Sequence, residues 1–336
     1  MKLQTIFTRW VVTVILPILP LSAQANGTND NATHLIVVVG AGGEKEYGEN
    51  FATWAMRLKD AAGKGAARLT LIGLNDSKEK DDREALRKTL ETDPKKSAAE
   101  MWLVLIGHGT FDGKFARFNM RGPDITAQEL DEWLNPFQRP VAVINCASAS
   151  GAFFKQLSRP GRITITATKS GIEHNYARFG DFFTARLGTL EADLDKDGQV
   201  SLLEAFIVAS KQVEEFYQGA NRLATEHALL DDNGDGLGTR SDWFRGVRAT
   251  KKAQGGETVD GFRAHQFHLI RSEFERKLPP EIRAERNRVE LEVNHLREAK
   301  SKFEEDVYYA EMEKLMLKLA RLYEKVSADK PISAGQ

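Results

Sequence analysis

Five short apolar runs recur through the first half of the chain, each bounded by polar or glycine punctuation. They are His34-Leu35-Ile36-Val37-Val38-Val39-Gly40, Arg68-Leu69-Thr70-Leu71-Ile72-Gly73, Met101-Trp102-Leu103-Val104-Leu105-Ile106, Val141-Ala142-Val143-Ile144 and Arg162-Ile163-Thr164-Ile165-Thr166-Ala167. Near-continuous rather than alternating hydrophobicity is the mark of strands buried on both faces, as in a parallel sheet. Between the runs the period changes. Phe51, Trp54, Ala55 and Leu58 stand at the spacing of a helix packed on a sheet. Thr126-Ala127-Gln128-Glu129 reads as a capping box opening a helix that buries Leu130, Trp133 and Leu134, and Phe153, Phe154 and Leu157 resume helical spacing. Strands alternating with helices predict an α/β domain with a mostly parallel sheet, right-handed crossovers and helices on both faces.

The pattern shifts after Trp243. Arg245 to Gly256 is basic and glycine-containing, and 251–278 reads as a linker between an α/β domain at 26–250 and a charged helical region at 279–330. In that region Val289, Leu296 and Phe303 recur every seven residues. Met312, Leu315, Leu319, Leu322 and Val326 follow at three- and four-residue steps, a coiled-coil-like stripe. Such a stripe needs cover, from the α/β domain, from a helical hairpin or from another chain.

Met1 to Ala25 has the form of a secretory signal peptide, with Lys2 and Arg9 before an apolar run and Ala23-Gln24-Ala25 as cleavage site. Export to the periplasm or medium is expected. No later span approaches the ~20 apolar residues of a membrane helix, so no membrane association is expected after cleavage. The formal net charge of −1 offers no basic excess for nucleic acid.

Cys146 is the one cysteine, an unusual economy for an exported chain. It follows the fourth run and precedes the small and polar Ala147-Ser148-Ala149-Ser150-Gly151. The third run ends in Gly107-His108-Gly109. If the two strands are neighbours, thiol and imidazole emerge at the carboxyl edge of the sheet, where open α/β sheets keep their ligand crevice. A thiol beside an imidazole suits nucleophilic catalysis, and a glycine beside the histidine leaves an amide free to face an oxyanion. Ser148 and Ser150 lack the Gly-x-Ser-x-Gly elbow and read as helix-start residues.

Leu105-Ile106-Gly107-His108-Gly109, Gly122-Pro123-Asp124-Ile125-Thr126, Cys146-Ala147-Ser148 and Ala167-Thr168-Lys169-Ser170-Gly171 together resemble the caspase–legumain group of cysteine peptidases, most closely its bacterial legumain-like members. The resemblance covers Leu35 to Trp243 and implies a caspase-like fold. It implies Cys146 as nucleophile, His108 as general base and acid, and the Gly109 and Cys146 amides as oxyanion hole. The segment from Lys169 to Asp181 would build part of the substrate cleft. Ser148 and Glu173 are the expected substrate-binding residues, with Glu173 facing a basic side chain. Cys146 lacks the acidic residue that follows the legumain nucleophile and the arginine-rich pocket of caspases, so the cleavage preference stays open.

Asp193-Leu194-Asp195-Lys196-Asp197-Gly198-Gln199-Val200-Ser201-Leu202-Leu203-Glu204 fills the positions of an EF-hand calcium loop. Asp193, Asp195, Asp197 and Glu204 supply carboxylates and Gln199 a backbone carbonyl. Helix-forming sequence flanks it at Phe182 to Glu191 and Leu202 to Tyr217. A second, weaker loop runs from Asp231 to Asp242, with Asp231, Asn233 and Asp235 as ligands. Ca²⁺ is the expected cofactor, in a structural role. His265 and His268 have helical spacing, but no further donors complete a zinc set, and surface or capping roles are expected for them and for His174 and His227. Gly40-Ala41-Gly42-Gly43 lacks the third glycine of a dinucleotide fingerprint and reads as a loop at the cleft rim.

These readings converge on an exported, calcium-stabilised cysteine endopeptidase acting on a peptide or protein. The rival is a catalytically inert, calcium-binding scaffold of the same fold, whose C-terminal helices self-associate or hold a partner.

Overall fold

The computed structural model describes residues 32–74, 81–256 and 258–328. The segment Met1–Ala25 and the Val326 side chain lie outside the described residues. Strand β1 (His34–Val39) leads through helix α1 (Lys45–Lys64) to β2 (Arg68–Ile72), then through α2 (Asp82–Thr92) to β3 (Met101–Ile106). A small excursion follows, of β4 (Gly109–Phe111), β5 (Ala116–Phe118) and β6 (Ile125–Thr126), before α3 (Ala127–Leu134) and β7 (Val141–Asn145). After α4 (Phe154–Leu157) come β8 (Arg162–Thr166), α5 (Phe179–Leu187), α6 (Leu202–Gly219) and β9 (Leu229–Asp231). The main sheet has the order β2-β1-β3-β7-β8-β9. Its first five strands are parallel and are the five apolar runs; β9 joins antiparallel to β8. The order places β3 beside β7 in the middle, so the carboxyl ends carrying His108 and Cys146 are neighbours.

Central strands with no exposed face explain the unbroken hydrophobicity. All six residues of β1 and of β3 are buried. Each such Leu, Ile or Val contributes about 1.5–3 kcal/mol through loss of water contact. The pleat sends alternate residues into two cores. Trp102, Val104, Ile106, Ile144 and Cys146 face one core with Phe51, Trp54 and Leu58 of α1, Phe183 of α5 and Phe206 of α6. Leu103, Leu105 and Val143 face the other, with Leu86 and Leu90 of α2 and Leu130 and Leu134 of α3. The Thr126–Glu129 capping box forms: Glu129 N–H donates to Thr126 Oγ1 at 3.2 Å, and Thr126 N–H to Glu129 Oε2 at 3.0 Å.

Beyond the sheet lie β10 (Phe244–Arg245), β11 (Arg248–Ala249), α7 (Phe262–His265), α8 (Glu273–Lys277), α9 (Pro280–Glu298) and α10 (Glu305–Ala328). The stretch 251–278 is not the free linker its composition suggests. Asp260, Ala264, Phe267, His268, Leu269, Glu275 and Leu278 are all buried. Phe267 lies on Trp102 with ring centroids 5.9 Å apart, and Leu202 N–H donates to the Phe267 carbonyl at 2.8 Å. Helix α9 docks on this layer through buried Val289 and Val293. Arg286 pairs with Glu275 through Nη2–Oε2 at 3.1 Å, and Gln266 Nε2 donates to the Asn287 carbonyl at 2.9 Å. Helix α10 packs along α9, burying Tyr308 and Leu322 and leaving Leu315 and Leu319 half-buried. Phe303, in register with Val289, is exposed, because the chain leaves the helix at Ala299. None of the described helices is long and apolar enough to cross a membrane.

Candidate active site

The register of β3 against β7 decides which side chains meet. Met101 pairs with Val141, and the pairing continues residue by residue to Leu105 and Asn145. Cys146 N–H then donates to the Leu105 carbonyl at 2.9 Å, extending the ladder. Cys146 is therefore level with Ile106, and the residue level with His108 is Ser148, seven places beyond each paired strand start. Gly107 and Ala147 bend the chain just past the last paired residues, so His108 and Ser148 lie in facing turns beyond the ladder.

Cys146 is fully buried, in the core shared by α1 and α5. Helix α5 closes directly over it: a Cβ added at Gly180 would lie 2.9 Å from Cys146 Cβ and 2.6 Å from the Trp54 ring. Burial, and next the negative charge of Glu226, push the thiol well above its ordinary range. Among the described residues, no hydrogen bond joins its sulfur to His108. The thiol–imidazole dyad expected from the sequence does not form in this structure, where the thiol is enclosed beneath α5.

Ser148 stands at the edge instead. Its Oγ accepts from Gly109 N–H at 3.1 Å and donates to the Gly109 carbonyl at 3.3 Å. The backbones are so close that a Cβ on Gly109 would sit 2.3 Å from the Ser148 carbonyl oxygen, so glycine is required there. Ser148 is thus neither a helix-start residue nor an exposed substrate contact; Ala149, at φ 53°, makes the turn that precedes the short helical segment at Ser150–Phe153. The Gly109 amide, expected to face an oxyanion, holds the serine hydroxyl.

His108 is half-buried in an aromatic wall that hydropathy alone did not reveal. Tyr47 and Phe51 of α1 meet its ring edge-on at 5.2 and 5.1 Å, and Tyr176 stacks on Tyr47 at 4.7 Å. Its Nε2 lies 3.3 Å from the Gly42 carbonyl, which brings the Gly40–Gly43 loop against the imidazole. The helical spacing from Phe51 to Leu58 had marked only the core face of α1; Tyr47, one turn earlier, extends the same stripe toward the site.

Glu173 does not face an open subsite. Its Oε1 lies 2.6 Å from His227 Nδ1, and its Oε2 accepts from Lys169 N–H at 2.9 Å and His227 N–H at 3.2 Å. It braces the loop after β8, whose Glu173 carbonyl in turn accepts Ala149 N–H at 2.8 Å. A carboxylate engaged in this way is not available to a basic substrate side chain. The sequence reading also passed over Glu226. That carboxylate is buried and accepts from the Arg178 and Phe179 amides at 2.8 and 3.0 Å, fixing the start of α5 over Cys146.

In the first acidic loop, carboxylate oxygens of Asp193, Asp195 and Asp197 lie within 4.8 Å of one another. Gly198 takes φ 86° at the sharp turn. Three converging hard oxygen donors with a glycine at the turn suit a calcium ion. Burial, and the neighbouring Asp195 and Asp193, push the Asp197 carboxyl upward, the direction a cation would reverse. Glu204 stands apart from the cluster: Oε2 accepts from Ser201 N–H at 2.8 Å in the capping box of α6, and Oε1 from Leu194 N–H at 2.7 Å. Gln199 turns its side chain to the Ser272 amide at 3.0 Å, leaving its backbone carbonyl as donor. The second loop repeats the hydrogen bonds of the first, in which Asp193 accepts from Lys196 N–H at 2.7 Å and Gly198 N–H at 3.1 Å, and Asp195 Oδ1 from Asp197 N–H at 3.3 Å. Asp231 accepts from Gly234 N–H at 2.7 Å and Gly236 N–H at 2.9 Å, and Asn233 Oδ1 from Asp235 N–H at 2.9 Å. Among the described residues no group of three acidic donors gathers at Asp231–Asp235. Asn233 stands where the first loop has Asp195, so Asp231 and Asp235 are the two acidic donors of a turn hydrogen-bonded like the first. His265 Nε2 meets Asp195 Oδ2 at 2.8 Å, whereas His268 is buried, against the surface role expected for it.

No protein-family model matches the chain, and no curated protein does. Among solved structures it is similar to the Drosophila initiator caspase Dronc, at 13% identity and a TM-score of 0.42, covering 68% of this chain and 94% of that one. Caspase-1 from Spodoptera frugiperda matches at 11% identity and a TM-score of 0.39, over 65% of this chain and 94% of that one. A protein from Geobacter sulfurreducens matches at 12% identity and a TM-score of 0.37, over 54% and 89%.

Proposed function

We propose that the chain is an exported hydrolase of peptide bonds whose reaction takes place at the carboxyl edge of the sheet, with His108 as general base and acid. The observation that carries this reading is the placement of His108. It projects from the end of a central parallel strand, against the aromatic wall of Tyr47, Phe51 and Tyr176 and the Gly42 carbonyl of the loop after β1. A histidine at such a position can accept a proton from a nucleophile and return it to a leaving amine. The aromatic wall excludes water from one side of the ring. Calcium would be held in the loop from Asp193 to Glu204 by Asp193, Asp195, Asp197 and the Gln199 carbonyl, with Glu204 as the further ligand, and would steady the start of α6 without taking part in the reaction.

The experiment is incubation of a mixed peptide library with wild type and His108→Ala, read by mass spectrometry. Wild type should cut a defined subset of peptides and the variant none. Identical products from both would overturn the reading. A second reading, the inert scaffold, is favoured by one observation: the imidazole is turned to the Gly42 carbonyl and the Ser148 hydroxyl to Gly109, with no hydrogen bond between them among the described residues. A wild type that cuts nothing in the library would select it.

A further inference from the structure

We propose that the nucleophile of this site is the hydroxyl of Ser148, and that Cys146 is a core residue with no part in the chemistry. The inference rests on the hydrolase reading above but is carried by separate observations. Strand pairing from Met101–Val141 to Leu105–Asn145, extended by the bond from Cys146 N–H to the Leu105 carbonyl, sets Ser148 level with His108. Cys146 lies at the last level of the ladder, and Ser148 and His108 lie beyond it, in the facing turns that follow the bends at Ala147 and Gly107. At that last level Trp54 and Gly180 seal the thiol, and burial disfavours its thiolate, the form that attacks. Beyond it the hydroxyl already touches the backbone of the residue that follows the histidine.

The step is an ordinary acyl transfer. As a substrate carbonyl enters, the Ser148 O–H leaves the Gly109 carbonyl and gives its proton to the His108 imidazole, while Oγ forms a bond to the carbonyl carbon. The Gly109 N–H, now holding Oγ, passes to the developing oxyanion. The carbon–nitrogen bond breaks as the imidazolium protonates the amine, and an acyl-serine ester remains. Water, deprotonated by the imidazole, attacks that ester; the proton returns to Ser148 Oγ, releasing the acid and the starting enzyme. No external co-reactant is needed.

Because the chain has one cysteine, the double variant Ser148→Cys/Cys146→Ala carries a single thiol, placed at the proposed position. Its alkylation by iodoacetamide is followed against pH, with and without His108→Ala. The proposal expects the titration midpoint to lie about one unit or more below that of the triple variant, as for a thiol paired with an imidazole. Equal midpoints would overturn it. A second measurement uses the unaltered chain: after treatment with an alkyl fluorophosphonate, peptide mapping should find the adduct on Ser148. An adduct on Cys146 instead, or none at Ser148 at saturating probe, would overturn the proposal. A shifted thiol midpoint with no peptide cut by wild type would sink the peptidase reading while leaving the Ser148–His108 pairing intact.

Discussion

Cys146 and Ser148 are separated by one residue and are both buried, but in different surroundings. The thiol lies among Trp54, Ile144 and Ile106 in the core; the hydroxyl lies at the sheet edge against Gly109. Native protein should therefore alkylate at Cys146 only as fast as it opens, and the rate should rise with denaturant; rapid modification of the native fold at neutral pH would contradict this placement. His268 offers a second test at this scale. Burial, and then the charges of His265 and Arg271, hold its imidazole down to about 3, with Nε2 unpartnered. The unfolded chain takes up this proton near the ordinary histidine value of ~6.5. Since the folded pKa is the lower one, the contribution is complete above that value and is lost as pH falls toward 3, at about 1.4 kcal/mol per unit. His268→Leu should flatten acid unfolding between these limits, and equal pH slopes for variant and wild type would refute it.

The acidic loop joins two parts of the molecule. Asp195 meets His265, Gln199 meets the Ser272 amide, and Leu202 meets Phe267, so the loop before α6 also seats the segment leading to α8. If calcium binds only the folded loop, a free concentration a hundred times the dissociation constant adds about 2.7 kcal/mol of stability. Thermal unfolding in EDTA and in millimolar calcium should differ accordingly. Glu204→Gln should reduce the difference while keeping the capping box, which glutamine also satisfies. Superimposable melting curves would remove calcium from the account. At the scale of elements, the five parallel strands and the helices between them were legible, because full burial writes a continuous apolar run and a helix writes a stripe. The strands β4 to β6 and β9 were not: each is two or three residues long, too short for a period to show. The pairing proposed here differs from the one read in the sequence for a related reason. His108 and Cys146 both end apolar runs, but ends are not registers. Counting from the paired starts Met101 and Val141 points to Ser148, and only the strand pairing shows that those starts align.

For the molecule as a whole, composition suggested a domain, a linker and a separate helical region. The structure joins them: Arg286 of α9 and Glu275 of α8 form a largely buried pair beside Gln266. A charge left alone in such a site typically costs about 3–5 kcal/mol, whereas an apolar pair of similar volume can be neutral. Arg286→Met should destabilise the whole chain by about that amount, and Arg286→Met/Glu275→Leu should recover most of it, as read by urea unfolding. A single variant that melts α9 while leaving the sheet's transition unmoved would instead make the C-terminal helices an independent unit. What composition hid here is tertiary: polar residues of 251–278 pair with other parts of the chain, Asp260 with Thr239, Arg271 with Glu100 and Glu275 with Arg286, while Ala264, Phe267 and Leu269 reach the core singly and leave no periodic trace.

The claim on which the functional account turns is that chemistry occurs at the height of His108 and Ser148 rather than at Cys146. The most direct measurement is the steady-state cleavage of one library-selected peptide by Cys146→Ala and by Ser148→Ala, side by side with wild type, each first shown to be folded by circular dichroism. The account predicts that Cys146→Ala retains kcat/KM within a few-fold of wild type and that Ser148→Ala loses at least about a thousandfold, the scale of removing a nucleophile. Full activity in Ser148→Ala with none in Cys146→Ala would contradict it.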